Sequence, residues 1–294
     1  MKKTGLLIIG IILGTTLFGQ ESGSIERFDI PFKGEKDLSV KIEYGMGSLD
    51  LRGGDEYLCR AGLTYVSDQF KPSLKYKKNG ESGSLYIFTE TKEHTLDDES
   101  VFELFKDASD NEYVKGNNWK LEFLKTIPIK FDIEFGMGEG RMDFSGIMIE
   151  ELTLECGMSD VDVFFNERNN KEIQRFVIES GLGSFNAEGL GNANIRKFKV
   201  DCGLGGTNLR FDGDIREDMR GKVGVGLGSV EIEIPRKVGI QVKTESSFLS
   251  SIDLDDCTEI DDDLYQSDNW DEIKYKIYLS IEVGLGSVNV KWIE

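Results

Sequence analysis

One phrase occurs three times between Phe176 and Val230: IESGLGS at 178–184, VDCGLGG at 200–206 and VGVGLGS at 223–229. Each copy places apolar residues and, in two of the three, an acid before Gly-Leu-Gly. The first glycines of the three copies stand at positions 181, 203 and 226, so the interval between copies is nearly constant. A fixed period of about 22 residues is typical of repeat architectures, in which each repeat stacks on its neighbours.

Further copies extend the repeat over most of the chain. They read IEYGMGS at 42–48, IEFGMG at 133–138, LECGMS at 154–159 and IEVGLGS at 281–287. The first glycines at positions 136, 157, 181, 203 and 226 keep the interval nearly constant. A degenerate copy without glycines surrounds Ser247, one further interval beyond Gly226. The period therefore predicts that this copy forms the rung after Gly226, with an acidic insertion at about 255–271 before the last copy.

Alternation of apolar and polar residues identifies the elements within each copy. The run VEIEI at 230–234 alternates as a strand with one buried face does. Gly-x-Gly supplies a bend or a close backbone approach between two such runs. The sequence thus predicts an all-β chain. Its larger part, 131–294, is expected to be a right-handed β-solenoid (a β-helix-like stack) with rungs of about 22 residues.

Residues 20–130 differ in character and are predicted to form an N-terminal β domain. Four strand-like runs lie at 58–65, 73–77, 84–89 and 119–124. Apolar residues with helical spacing follow Thr95, a suitable N-cap, and predict a short inserted helix over Leu96–Ala108. Such a domain would cover the strand edge at the end of the solenoid.

Composition and the first residues indicate an exported protein. The formal net charge is -19, which argues against nucleic acid or an anionic membrane surface as the partner. Lys2 and Lys3 precede an apolar run at 5–18, the pattern of a secretory signal peptide over residues 1–19. Cleavage is expected near Gly19, which predicts a bacterial protein of the periplasm, outer surface or extracellular space. An uncleaved membrane anchor is the alternative.

Four cysteines raise the question of disulfides. Cys156 and Cys202 hold the same place in the repeat, two periods apart. Rungs spaced by about 4.8 Å would separate their Cα atoms by roughly 9–10 Å, which is beyond disulfide reach. We therefore expect both to be small residues of one interior column. The sequence does not decide whether Cys59 and Cys257 are bonded.

The order of several short motifs resembles a known family. The markers are EYGMGSL at 43–49, WKL at 119–121, IPI at 127–129, GLGNAN at 189–194 and the recurrent GLGSV. Together they are similar to the toast-rack or LiaF-like extracytoplasmic family, whose members are often named adhesins or linked to the response to cell-wall-active antibiotics. The resemblance implies a β-helix-like stack after an N-terminal domain and supplies no catalytic residues. Members that act in envelope stress signalling carry several membrane helices, a pattern that this sequence does not show.

Outward-facing acids form the first candidate site. One acid stands two residues before the first glycine in most copies and, if the rungs stack, these acids make an acidic ladder. Its members are Glu43, Glu134, Glu155, Glu179, Asp201, Glu245 and Glu282. Carboxylate oxygens are ligands for hard cations such as calcium. The competing and favoured interpretation is a solvated face relieved by lysines such as Lys199 and Lys222.

The acidic insertion is the second calcium candidate. Its carboxylates are those of Asp255, Asp256, Asp261, Asp262 and Asp263. The segment has neither the residue order of an EF-hand loop nor the glycine-rich nonapeptide of calcium-binding β-rolls. A mobile acidic surface loop is the favoured interpretation.

Other chemistry finds little support. No Gly-x-Gly copy continues to a third glycine before a helix, so a dinucleotide site is rejected. The single histidine, His94, lies in a polar stretch without a nucleophile elbow, and no zinc spacing is present. The sequence predicts a non-enzymatic envelope or surface protein, a scaffold or binding module for an unknown protein or envelope component, without a small-molecule cofactor. The alternatives are a polysaccharide-active enzyme and a calcium-dependent adhesion module.

Overall fold

The computed structural model describes residues 23–66, 70–89, 115–246 and 250–294. Among these residues β-strand predominates and there is almost no helix, and their eighteen strands belong to one sheet. The predicted signal segment and the predicted helix over Leu96–Ala108 lie outside the described residues. No helix among the described residues is long and apolar enough to cross a membrane. The strands are β1 Ser24–Pro31, β2 Asp37–Gly54, β3 Tyr57–Tyr65, β4 Pro72–Asn79, β5 Ser82–Thr89, β6 Asn118–Leu124, β7 Ile129–Asp143, β8 Ile149–Phe164, β9 Arg175–Glu188, β10 Lys197–Arg210, β11 Met219–Val225, β12 Ser229–Pro235, β13 Gly239–Ser246, β14 Ser251–Leu254, β15 Cys257–Asp261, β16 Leu264–Ser267, β17 Lys276–Val283 and β18 Ser287–Ile293.

The glycine phrases lie in the middle of long strands that stack in parallel. Strands β2, β7, β8, β9 and β10 each run through one phrase and pair in register with the next. In the later rungs the phrase divides the strand in two, as β11 and β12 or β17 and β18. The all-β prediction and the stacking of the repeat are thereby confirmed.

Each rung bends at its glycines, so that its two halves pack their inner faces together. In β10, Val200 and Cys202 are buried before the bend and Thr207 after it, so the inward positions change parity across the glycines. The rings of Phe131 and Phe144, at the two ends of one rung, have centroids 5.5 Å apart. Alternating apolar residues therefore fill a single core between the halves.

Close backbone approach explains the glycines at the bend. Gly138 has a φ of +123°, a region that L side chains rarely adopt. A Cβ atom on Gly138 would lie 1.9 Å from the carbonyl oxygen of Gly47 in the neighbouring rung. The second glycine of the phrase is thus required both by the bend and by the stacking, as predicted for a corner of the scaffold.

The order of the last rungs differs from the sequence prediction. The degenerate copy, β13 and β14, does not lie beside Gly226; instead β17 and β18 pair with β11 and β12 on one side and with β13 and β14 on the other. Gly284 and Gly286 lie against the carbonyl oxygens of Gly226 and Gly228, where a Cβ atom would be too close. The copy around Ser247 has no such glycines, and its strands take the outer position.

The other end of the stack is covered by antiparallel strands. Strands β5 and β6 pair in parallel with β2, on the side opposite β7. Strand β4 then pairs with β5, and β3 and β1 follow β6, all antiparallel. The four strands predicted within 58–124 are confirmed. The sheet continues without interruption across residue 130, and the division at that residue stays a prediction.

Candidate binding surface

The acidic ladder is formed in register on the outer face. Glu43 pairs with Glu134, Glu134 with Glu155, Glu155 with Glu179, and Glu179 with Asp201. The row continues through Gly224 to Glu282 and Glu245. The stacking thus brings together acids that are far apart in the sequence.

Only part of the ladder is neutralised by neighbouring cations. The ammonium of Lys41 lies 2.7 Å from a carboxylate oxygen of Glu43 and 3.0 Å from one of Glu134. The hydrogen bond from Lys41, and then that from Tyr86, hold the pKa of Glu43 below its ordinary value. Lys199 pairs with Asp201 in the same way. Glu155 and Glu179, in the centre, have no ion pair with any described residue.

The described residues do not bring these carboxylates into a coordination sphere. No group of three or more histidine, cysteine, aspartate or glutamate side chains within the described ranges has the geometry to hold a metal ion. In-register carboxylates lie in one row, whereas calcium takes six to eight oxygen ligands around it. The metal interpretation of Glu134, Glu155, Glu179 and Asp201 stays a hypothesis.

The acidic insertion folds as a β-hairpin, which corrects the prediction of a mobile loop. Strands β15 and β16 are antiparallel, and β16 also pairs with β13 at the end of the stack. Asp255 and Asp256 precede the hairpin, whereas Asp262 and Asp263 form its turn. The length of β15 separates the two pairs by roughly 16 Å, and Asp261 closes that strand. Asp256 is paired with Arg236 at 3.1 Å.

A row of exposed apolar side chains lies beside the acidic ladder. The residue between the two glycine positions of the phrase points to solvent in five successive rungs. We call these residues the apolar ridge: Met158, Leu182, Leu204, Leu227 and Leu285. Their exposed fractions run from 36% to 56%, and they make up five of the eight large apolar residues that are exposed among the described residues. Four steps of strand spacing give the ridge a length of about 19 Å.

Register places the ridge on one edge of the molecule. Leu182 pairs with Met158 and with Leu204. Leu227 donates its main-chain N–H to the carbonyl oxygen of Gly203 at 2.9 Å, and Leu285 donates to Gly226 at 2.8 Å. Contiguous exposed apolar surface rimmed by polar residues is typical of an interaction site.

Sequence reasoning missed the ridge, although a signal was present. The position between the glycines was assigned to a bend, where small or polar residues are usual. It is nevertheless methionine or leucine in every glycine-containing copy. The signal was a large apolar residue, repeated in each copy at a position that the alternation places on the outer face.

The cysteines take the places expected from the repeat. Cys156 and Cys202 each pair in register with Ser180, so the three form one buried column without a disulfide. Burial raises the pKa of the Cys156 thiol to about 12. Cys59 and Cys257 are also free thiols, and burial followed by nearby aspartates raises the pKa of Cys257 to about 11.

These features define a repeat-type β-protein with an exposed apolar edge. The family model described as the N-terminal domain of toast_rack, DUF2154, matches residues 19–188, more than half of the chain. The chain belongs to the toast_rack family.

Two solved structures show a remote similarity to the chain. One, titled a "putative cell adhesion protein" from Clostridium sporogenes ATCC 15579, is 17% identical with a TM-score of 0.44, over 92% of this chain and 100% of that one. The other, a "putative adhesin" from Parabacteroides merdae ATCC 43184, is 10% identical with a TM-score of 0.25, over 92% and 96%. A comparison with curated proteins finds no match.

Proposed function

We propose that this chain is an exported, non-enzymatic binding module of the bacterial cell envelope or cell surface. The observation that carries the proposal is the apolar ridge with the acidic ladder along its side. Adhesion and the envelope stress response are the two settings in which such a module would act.

We also propose that the stack winds as a right-handed β-solenoid. The in-register partners from β7 to β11, such as Glu134 with Glu155 and Glu179 with Asp201, lie one repeat interval apart in the sequence. This pairing supports rungs of about 22 residues.

The ridge favours a protein segment as the partner. Covering the exposed part of each leucine would contribute about 1–2 kcal/mol to binding, from the apolar area removed from water. The adjacent carboxylates of Glu155 and Glu179 have no ion pair with any described residue, so they favour cationic groups on the partner. A second copy of this chain, with its own net charge of -19, fits the surface less well. The proposed partner is therefore a segment that carries both apolar and basic side chains.

The enzymatic alternative receives less support. A general acid in a glycosidase needs a carboxyl group with a raised pKa. Glu43 lines a groove of about 870 Å³, and its pKa is lowered by hydrogen bonds from Lys41 and Tyr86. A lowered pKa is typical of an ionised surface carboxylate and is the opposite of what a general acid needs.

The test measures binding of a defined peptide with alternating leucine and lysine by fluorescence anisotropy. We expect the double variant Leu182→Asn, Leu204→Asn to weaken binding at least about tenfold, since two apolar contacts are lost. The matched control is Ile260→Asn, because Ile260 is an exposed apolar residue at 51% that lies outside the ridge.

Charge and contact can be separated in the same assay. Glu155→Gln with Glu179→Gln should weaken binding of the lysine peptide and reduce its salt dependence. Equal binding by the wild type and the ridge variant would disprove the proposal, as would an equal loss in the Ile260→Asn control.

A further inference from the structure

On the outer face of the last rungs lies a groove in which every charged lining residue is basic. It has a volume of about 450 Å³ and lies across β10, β11, β17 and β13. Lys197, Arg220, Lys222 and Lys243 line it, and no aspartate or glutamate does. The whole chain has 54 acidic and 35 basic residues. Four cations without a carboxylate are therefore unusual for this surface.

Strand register sets the cations side by side. Lys197 pairs with Arg220, and Lys199 pairs with Lys222 on the same two strands. Like charges directly opposite each other on neighbouring strands are destabilising. A bound anion would remove that repulsion.

The groove cations are not neutralised by the described part of the protein. Lys197, Arg220 and Lys222 have no ion pair with a described residue, whereas neighbouring Lys199 is paired with Asp201. Lys243 donates to the main-chain oxygen of Asp262 at 2.5 Å, a contact that leaves its charge uncompensated.

One cation is held in place by an aromatic ring. The guanidinium carbon of Arg220 lies 4.8 Å from the centroid of the Tyr278 ring. The Tyr278 ring is itself in edge-to-face contact with Trp270, at 5.7 Å between centroids. Less side-chain entropy would be lost on binding, because Arg220 is already positioned.

We propose that this groove binds an organic anion, a carboxylate, phosphate or sulfate group carried on an apolar or ring-shaped body. The cations recognise the charged group through charge-assisted hydrogen bonds. Tyr278, Leu264 and the aliphatic stems of the lysines contact the body of the ligand. An acidic sugar and a lipid headgroup with its chains are the two sources that carry this chemistry. The site is separate from the apolar ridge and does not depend on it.

The experiment uses anilinonaphthalene sulfonate, a fluorescent organic anion, as the probe. We expect one bound dye per chain, and about tenfold weaker binding in the double variant Arg220→Gln, Lys222→Gln, since charge-assisted hydrogen bonds are lost. The matched control is Lys77→Gln with Lys120→Gln, two lysines outside the groove without an ion pair among the described residues. Lys197→Gln serves as a second groove variant if the double variant does not fold.

Competition and a ridge variant complete the test. Displacement of the dye by glucuronate indicates a sugar acid, and displacement by dihexanoyl phosphatidic acid indicates a lipid; either result supports the proposal. Displacement by inorganic phosphate at the same concentrations would overturn the requirement for an organic body. Loss of dye binding in Leu227→Asn, with the groove variants unchanged, would place the dye on the ridge and overturn the proposal. An equal loss in the lysine control would also overturn it.

Discussion

Leu285 donates its main-chain N–H to the carbonyl oxygen of Gly226 at 2.8 Å, although the two are far apart in the sequence. This contact places the last glycine phrase directly beside the rung at 226. The copy around Ser247, which follows Gly226 at the repeat spacing, lies one rung further out. Strands β13 and β14 therefore come earlier in the sequence than β17 and β18 but lie further out in the stack.

Engineered disulfides can test this order of rungs. Lys222 pairs in register with Ser280, and Ser280 pairs with Lys243. We expect the pair Lys222→Cys, Ser280→Cys to oxidise, because adjacent strands lie about 4.8 Å apart. The pair Lys222→Cys, Lys243→Cys is two rungs apart and should stay reduced. Bonding of the second pair in preference to the first, measured by mass spectrometry after digestion, would restore the serial order.

Stacking of the glycines predicts that two glycine-to-alanine substitutions differ in their effect on the free energy of unfolding. Gly138→Ala should destabilise the fold by at least about 2 kcal/mol, because of its positive φ and the Gly47 carbonyl 1.9 Å from the new Cβ. Gly45→Ala is the control, since nothing lies within 4 Å of a Cβ there. Urea unfolding of the two variants measures the difference. Equal stabilities would show that the close approach at Gly138 is not required.

A buried carboxylate predicts a dependence of stability on pH. Glu35 is 2% exposed and accepts hydrogen bonds from the Lys33 N–H at 2.6 Å and the Tyr76 hydroxyl at 2.7 Å. Burial opposes ionisation, but these bonds and the contact with Lys78 lower the pKa of Glu35 overall. A lowered folded-state pKa gives stability above the ordinary value of 4.5, which is lost as the pH falls through the folded pKa.

Glu35→Gln should therefore destabilise the protein by about 1–3 kcal/mol at neutral pH, as expected for lost hydrogen bonds to a charged group. The difference from wild type should shrink below pH 4.5. The control is Glu81→Gln, an exposed carboxylate paired with Lys36, whose effect should be small at all pH values. Thermal unfolding across the pH range measures both, and a difference that grows on acidification would contradict the assignment.

Calcium binding can be tested on the two acidic regions together. We expect millimolar calcium to change the melting temperature no more than magnesium does at the same concentration, because the carboxylates lie in a row and at separated ends of a hairpin. A larger effect of calcium that disappears in Glu155→Gln with Glu179→Gln would assign a site to the acidic ladder. One that disappears in Asp262→Asn with Asp263→Asn would assign it to the hairpin turn.

The sequence predicted the repeat well because each copy carries its own periodicity. Alternation around Glu134, Glu155 and Glu179 was enough to place these acids in one outward row, and the register bears this out. The strands of the N-terminal region followed from the same signal. Short-range pattern and glycine spacing thus determine which residues form a rung and which face they take.

Two features depended on contacts that spacing does not encode. The last copy, rather than the Ser247 copy, lies beside Gly226, where glycines 284 and 286 allow a close backbone approach. The apolar ridge was hidden because Leu182 and its equivalents stand inside a motif that reads as a turn. The groove at Lys222 depends on β17 lying between β11 and β13, an arrangement that the serial order of rungs would not have given.

The late insertion of β17 and β18 has a consequence for how the chain folds. A solenoid built in serial order can add rungs one by one as it is synthesised, through contacts of short range. Here β13 to β16 are synthesised before β17 and β18, the two strands that lie between them and the rung of β11 and β12. Pairing β17 with β11 closes a long loop, and the entropy lost in closing that loop slows folding. The chain would thus stay incompletely folded for longer after synthesis, a kinetic delay that would keep it competent for the export proposed above.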